Sequence, residues 1–140
     1  MRSILVVANQ TLGGEALLQR MREAVWFEPC RFHVLVPASA VPHQLAWNEG
    51  EALAYAEERL AEALTRFDEE GFDVTGEVGD ASPFLAISDA MRHDDYDEVM
   101  LSTLPLGVSR WLKMDLPARV RRRHAVPVTH VIGAEATQLA

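Results

Sequence analysis

The residues with the most chemical potential in this chain sit in two short loops. The first reads Ala8-Asn9-Gln10-Thr11-Leu12-Gly13-Gly14, and the second reads Ser102-Thr103-Leu104-Pro105-Leu106-Gly107-Val108-Ser109-Arg110. In the first, a hydroxyl and paired glycines opening into a helical segment can leave backbone N–H groups free to hold an anion. The same residues can equally make a plain turn in which Thr11 caps the helix. Neither GxGxxG nor GxxxxGKS/T is present. In the second loop, hydroxyls, a glycine and an arginine ahead of a helix suit a phosphate or sulfate. Trp111 follows directly and reads first as a helix's buried aromatic, with ligand stacking as the alternative. From Arg110 to Arg123 lie six of the thirteen basic residues, so the local field is positive within a negative protein. Arg119, Arg121, Arg122 and Arg123 read as a solvated face complementing a helix C-terminus, whereas Arg110 stays with the loop.

Other chemistries lack their parts. Asp80 ends an apolar run, as a phosphoacceptor would, but Asn9 and Gln10 stand where further acids belong, and Lys113, the only lysine, is misplaced. Asp80 reads better as part of the cap of the following helix. The histidines His33, His43, His93, His124 and His130 show no HxxxH, HExxH or Cys/His spacing, so no metal site is expected. The acidic run Asp94, Asp95, Asp97, Glu98 reads as solvated surface. Without a GxSxG elbow, and with Cys30 lacking a histidine nearby in sequence, nucleophilic catalysis has no support, and no enzyme activity is expected.

Composition sets the wider bounds. The 140 residues suit one domain, and 49% hydrophobic content suffices to cover a sheet on both faces. A formal charge of −8 argues against nucleic acid as a partner. Cys30 is the single cysteine, so neither an internal disulfide nor a redox pair is available. The apolar run Ile4 to Ala8 is too short for a signal segment, and no run reaches membrane-span length. A cytoplasmic protein without membrane contact is expected.

The elements that must position the loops are legible as alternating patterns. Apolar runs at Ser3 to Ala8, Arg31 to Val36, Phe72 to Val78, Glu98 to Thr103 and Val126 to Ile132 predict strands, several continuous enough for burial on both faces of a parallel sheet. Helices are predicted at Gly14 to Val25, at Glu49 to Glu70 and at Pro83 to His93. In the second, Leu53, Ala56, Leu60, Leu64 and Phe67 form the packed stripe and Gly71 the stop; in the third, Ser82 is the N-cap. A fourth helix is expected from about Arg110 to Arg123, with Pro117 forcing a kink or a late start. Trp26 and Trp47 are expected to cover sheet edges. The order βαβαβαβαβ with right-handed crossovers is a doubly wound α/β fold over residues 1–133, followed by a tail at 134–140. Ligands in such sheets bind beyond the carboxyl ends of the strands, where the strand order reverses.

Three segments carry a family resemblance: Ile4-Leu5-Val6-Val7-Ala8-Asn9-Gln10-Thr11, Gly76-Glu77-Val78-Gly79-Asp80 and Val126-Pro127-Val128-Thr129-His130-Val131. Together, in this element order, the chain resembles the universal stress protein family. The resemblance implies a five-stranded parallel sheet in the order 3-2-1-4-5. It also implies a homodimer paired through the last strand, Val126 to Ile132, and a non-enzymatic regulatory or stress-response role. ATP-binding members carry an acidic residue after strand one and spaced glycines after strand four, ending in Gly-Ser or Gly-Thr. Here Asn9 holds the acidic position, Thr11 matches the usual serine, and Met114 and Asp115 fall where the last pair belongs. Gly107 is the lone glycine between Gly79 and Gly133. A backbone cradle for a triphosphate is therefore not expected, because side chains block the close approach that glycine permits. Val36 matches the position that contacts adenine in ATP-binding members, which leaves ATP or AMP as the alternative ligand and a small anion as another. The expected ligand set is Ala8, Asn9, Thr11, Val36, Ser102, Thr103, Gly107, Ser109 and Arg110, with no cofactor required.

Overall fold

Strand and helix alternate along the described residues, 1–39 and 48–133, of a computed structural model. The order is β1 (Arg2–Val7), α1 (Glu15–Phe27), β2 (Cys30–Pro37), α2 (Glu49–Glu69), β3 (Asp73–Gly79), α3 (Pro83–His93), β4 (Glu98–Thr103), α4 (Arg110–Lys113), α5 (Leu116–His124) and β5 (Val128–Ile132). All strand pairs are parallel, and the sheet runs β3-β2-β1-β4-β5, the order implied at the outset. His43, Trp47 and the 134–140 tail lie outside the described residues.

The continuous apolar strands exist because each face of the sheet has its own core. Ile4 and Val6 of β1 pack with Leu17, Leu18 and Met21 of α1 and with Ala56, Ala63 and Phe67 of α2. Leu5 and Val7 point the other way, onto Ala86, Ile87 and Ala90 of α3 and Leu116 and Val120 of α5. Alternate residues of one strand thus serve two layers, and both need to be apolar. No described helix is long and apolar enough to cross a membrane.

Helix ends follow local chemistry. Ser82 caps α3 by accepting from the Leu85 N–H, with Pro83 in the first turn where its missing N–H costs nothing. Asp80 Oδ1 accepts from the Ser82 N–H at 2.8 Å, so it holds the residue that does the capping. Gly71 adopts φ +89° after α2, where its N–H meets the Asp68 carbonyl and that of Phe72 meets the Phe67 carbonyl.

Several expectations change. Residues 110–123 form not one helix but α4 and α5, separated at Asp115, which sits at φ 55°; Pro117 belongs to the first turn of α5. Trp26 covers no sheet edge: it is 87% exposed, beside an equally bare Phe27. Leu53 is exposed, and Ala52 replaces it in the buried stripe of α2. The acidic run is not mere surface, because its last two members close the amino end of the sheet. Buried Glu98 accepts from Arg2 at 2.9 and 3.1 Å and from Thr129 Oγ1 at 2.6 Å, and Asp97 accepts from the Ser3 N–H at 2.8 Å.

Candidate functional site

Chain order reverses at β1: β2 and β3 extend the sheet on one side, β4 and β5 on the other. Beyond the carboxyl ends of β1 and β4 the loops diverge, and the crevice between them holds a cavity of about 60 Å³. Asn9, Gln10 and Thr11 form one wall, with Ser39 beyond β2. Ser102, Thr103, Leu104, Val108, Ser109, Arg110 and Trp111 form the other.

Six of the expected residues, Asn9, Thr11, Ser102, Thr103, Ser109 and Arg110, therefore meet around one space. Ala8, Val36 and Gly107 are not among its lining. Ala8 and Val36 are fully buried in the α1–α2 core, and Gly107 lies on the outer turn of its loop at φ +100°, with nothing within 4 Å of a built Cβ. Gln10, Ser39, Leu104 and Val108 are additions that residue types alone did not mark. Trp111 is half-buried, and it both packs against the α3–α5 core and lines the cavity.

The hydroxyls are mostly committed. Thr11 Oγ1 and Ser102 Oγ lie 2.5 Å apart, a buried bridge that ties the β1 wall to the β4 wall. Thr11 is thus no helix cap; the N-cap of α1 is Gly14, which offers no side chain to bond. Thr103 Oγ1 donates to the Leu104 carbonyl at 2.9 Å and meets His130 Nε2 at 2.8 Å, leaving the imidazole as donor to it. Burial, reinforced by the Arg121 charge, holds the His130 pKa below its ordinary range, consistent with a neutral ring. Ser109 Oγ accepts from the Leu112 N–H and starts α4.

Asn9 is the exception. It is only 5% exposed, and its Nδ2 donates to the Pro37 carbonyl at 2.8 Å. Its Oδ1 is buried with no hydrogen-bond partner among the described residues.

The β1 wall is held from behind by α2. Arg59 donates from Nε to the Asn9 carbonyl at 3.0 Å and from Nη2 to the Gln10 carbonyl at 3.1 Å, while its Nη1 donates to Tyr55 Oη at 2.7 Å. Arg66, two turns on, donates to the Gly13 carbonyl and pairs with Glu15. Nothing in the sequence marks these two arginines, because their targets lie about fifty residues upstream. At the back, Gly133 packs against Thr11, where an added Cβ would lie 2.9 Å from Thr11 Cγ2.

A larger groove of about 500 Å³ lies along β2 and β3, with the end of α3 beside it. There His33 meets Thr75 Oγ1 and Glu77 Oε2, each at 2.7 Å, and stacks on Tyr96. Both ring nitrogens are matched within the protein, so the group is internally satisfied. Among the described residues no three metal-capable side chains converge.

Neither a family model nor a curated protein matches the sequence. Among solved structures, the chain is similar to a universal stress protein from Archaeoglobus fulgidus, with a TM-score of 0.62 at 14% identity. The match covers 94% of this chain and 93% of that one. At this identity the likeness speaks for the fold alone.

Proposed function

We infer that this chain is a non-enzymatic regulatory or stress-response protein of the universal stress protein type. In this reading it works as a cytoplasmic homodimer paired through β5 and carries a small-ligand pocket at the β1–β4 crevice. The observation that carries the reading is the cavity at the reversal point of a 3-2-1-4-5 sheet, lined by hydroxyls, Arg110 and Trp111. Such a lining suits recognition. A general acid or base of tuned pKa would be needed for turnover, and the groups facing the cavity are hydroxyls, amides, apolar chains and one guanidinium.

Size favours a compact ligand. Pockets for drug-sized molecules run to roughly 300–1,000 Å³, whereas this one measures about 60 Å³. Pro105 and Leu106 stand where a glycine-lined phosphate cradle would need bare backbone. Dimerisation is supported by the exposed edge of β5, where Ile132 is 55% exposed on an outer strand.

Two measurements test this reading. Thermal-shift titration with ATP, AMP and small anions should give stabilisation by a small anion and none by millimolar ATP, because a ligand selective for the native state must raise its melting temperature. A clear ATP shift selects the nucleotide-binding alternative instead. Light scattering should return a dimer that Ile132→Lys converts to a folded monomer. A monomeric wild type removes the β5 pairing.

A further inference from the structure

The cavity leaves two needs unmet, and together they specify a ligand; this step rests on the reading of the crevice as a ligand site. Thr103 Oγ1 is bonded to the Leu104 carbonyl and His130; Thr11 and Ser102 bond one another; Ser109 Oγ accepts from the Leu112 N–H. One proton of the Thr11–Ser102 pair and the Ser109 proton therefore stay available as donors to an anion. Beside them stand a buried acceptor without a donor, Asn9 Oδ1, and an exposed cation, Arg110, which makes no hydrogen bond or ion pair among the described residues.

Charge narrows the choice. In a chain of net charge −8, the lining among the described residues holds no carboxylate and one arginine, so it is a positive spot in a negative protein. An oxyanion suits Arg110. A buried acceptor lacking a donor carries an uncompensated desolvation penalty, which a ligand O–H or N–H removes. An ammonium donor fits poorly, because no carboxylate among the described lining residues offsets its charge. A space of about 60 Å³ admits only a few heavy atoms.

We propose that the cavity binds a small oxyanion bearing its own hydroxyl donor, with the O–H directed to Asn9 Oδ1 and the charge to Arg110. Glycolate and hydrogen phosphate share this chemistry, from an organic and an inorganic source. Acetate and sulfate match them in charge type and approximate size but lack the donor. A site built around a hydrogen bond discriminates strongly against the analogue that cannot make it.

The experiment is calorimetric titration of the full chain near pH 7 with those four anions. Glycolate is expected to bind about tenfold tighter than acetate, or hydrogen phosphate about tenfold tighter than sulfate, the factor of one hydrogen bond. Whichever pair separates identifies the source. Asn9→Leu should collapse the ratio towards one while retaining anion binding. Asn9→Asp keeps an acceptor but adds a charge, and it should reject all four. Arg110→Gln should weaken all four together. Equal affinities within both pairs for the wild type overturn the donor requirement and leave the pocket reading standing. Absence of binding by all four, with no shift by ATP or AMP, overturns the pocket reading itself.

Discussion

The two ends of the same three strands, β1, β4 and β5, solve opposite problems. At the amino end every polar group named there has a mate: Arg2 Nη2 is 2.9 Å from Glu98 Oε1, Thr129 caps the other carboxylate oxygen, and Asp97 takes the Ser3 N–H. The Arg2 pKa is raised chiefly by its hydrogen bond to Glu98, the mark of a charge held by its partner. At the carboxyl end Asn9 is as deeply buried, yet its Oδ1 lacks a partner, and the exposed Arg110 makes no ion pair among the described residues. Full satisfaction closes a sheet and contributes stability. Incomplete satisfaction beside a cavity costs stability and leaves something for a ligand to complete.

Removing a mate at the closed end should therefore hurt most. Glu98→Ala strips the partner of Arg2 and Thr129 in a buried setting, and it should lower unfolding free energy by about 1.5–3 kcal/mol, the range for hydrogen bonds to charged groups. Urea denaturation reads this directly, and a loss below about 0.5 kcal/mol would contradict the closed-end description. Gly107→Ala, in the open-end loop, should cost only about 1 kcal/mol. It has φ +100° but no neighbour within 4 Å, so the penalty is conformational strain alone. A loss above about 3 kcal/mol would mean that this loop carries packing unlike the free wall described.

How much of this was legible differs by the range of the interaction. Strands with apolar residues at consecutive positions, the Ser82-Pro83 start of α3 and the Gly71 stop after α2 are local statements, and local chemistry wrote them. Asn9, Thr11, Ser102, Thr103, Ser109 and Arg110 were legible as a set because parallel strands bring successive carboxyl ends to one edge. Ala8 and Val36 were misplaced in the pocket because a residue at a strand end faces either core or crevice, and register decides which. Arg2 and Glu98 are 96 positions apart, and Arg59 reaches Asn9 across 50. Contacts of that span leave no periodic trace. The break before α5 was legible in outline from Pro117, which marks a kink or a late start, but nothing in the residue types places the left-handed turn at Asp115.

Acidity should distinguish the ends by the smallest effect. No histidine belongs to the Arg2–Glu98–Thr129 cluster, whereas His130 donates towards Thr103 on the cavity wall. Burial and Arg121 hold the His130 pKa below 6.5, and burial and Arg123 do the same for His124 at the end of α5. With the folded pKa depressed, the unfolded chain binds more protons as the solution is acidified. The stability these rings contribute is therefore present above about pH 6.5 and is lost as pH falls through their folded-state values. Urea midpoints should accordingly fall from pH 7.5 to pH 5.5, a window above the ordinary carboxylate range. His130→Asn, which keeps an amide donor for Thr103, should flatten part of that slope, and His124→Asn a separate part. Glu98→Ala should leave the slope intact while lowering the whole curve. If Glu98→Ala instead flattened it, the two ends would be coupled through the strands, and their separation would be wrong.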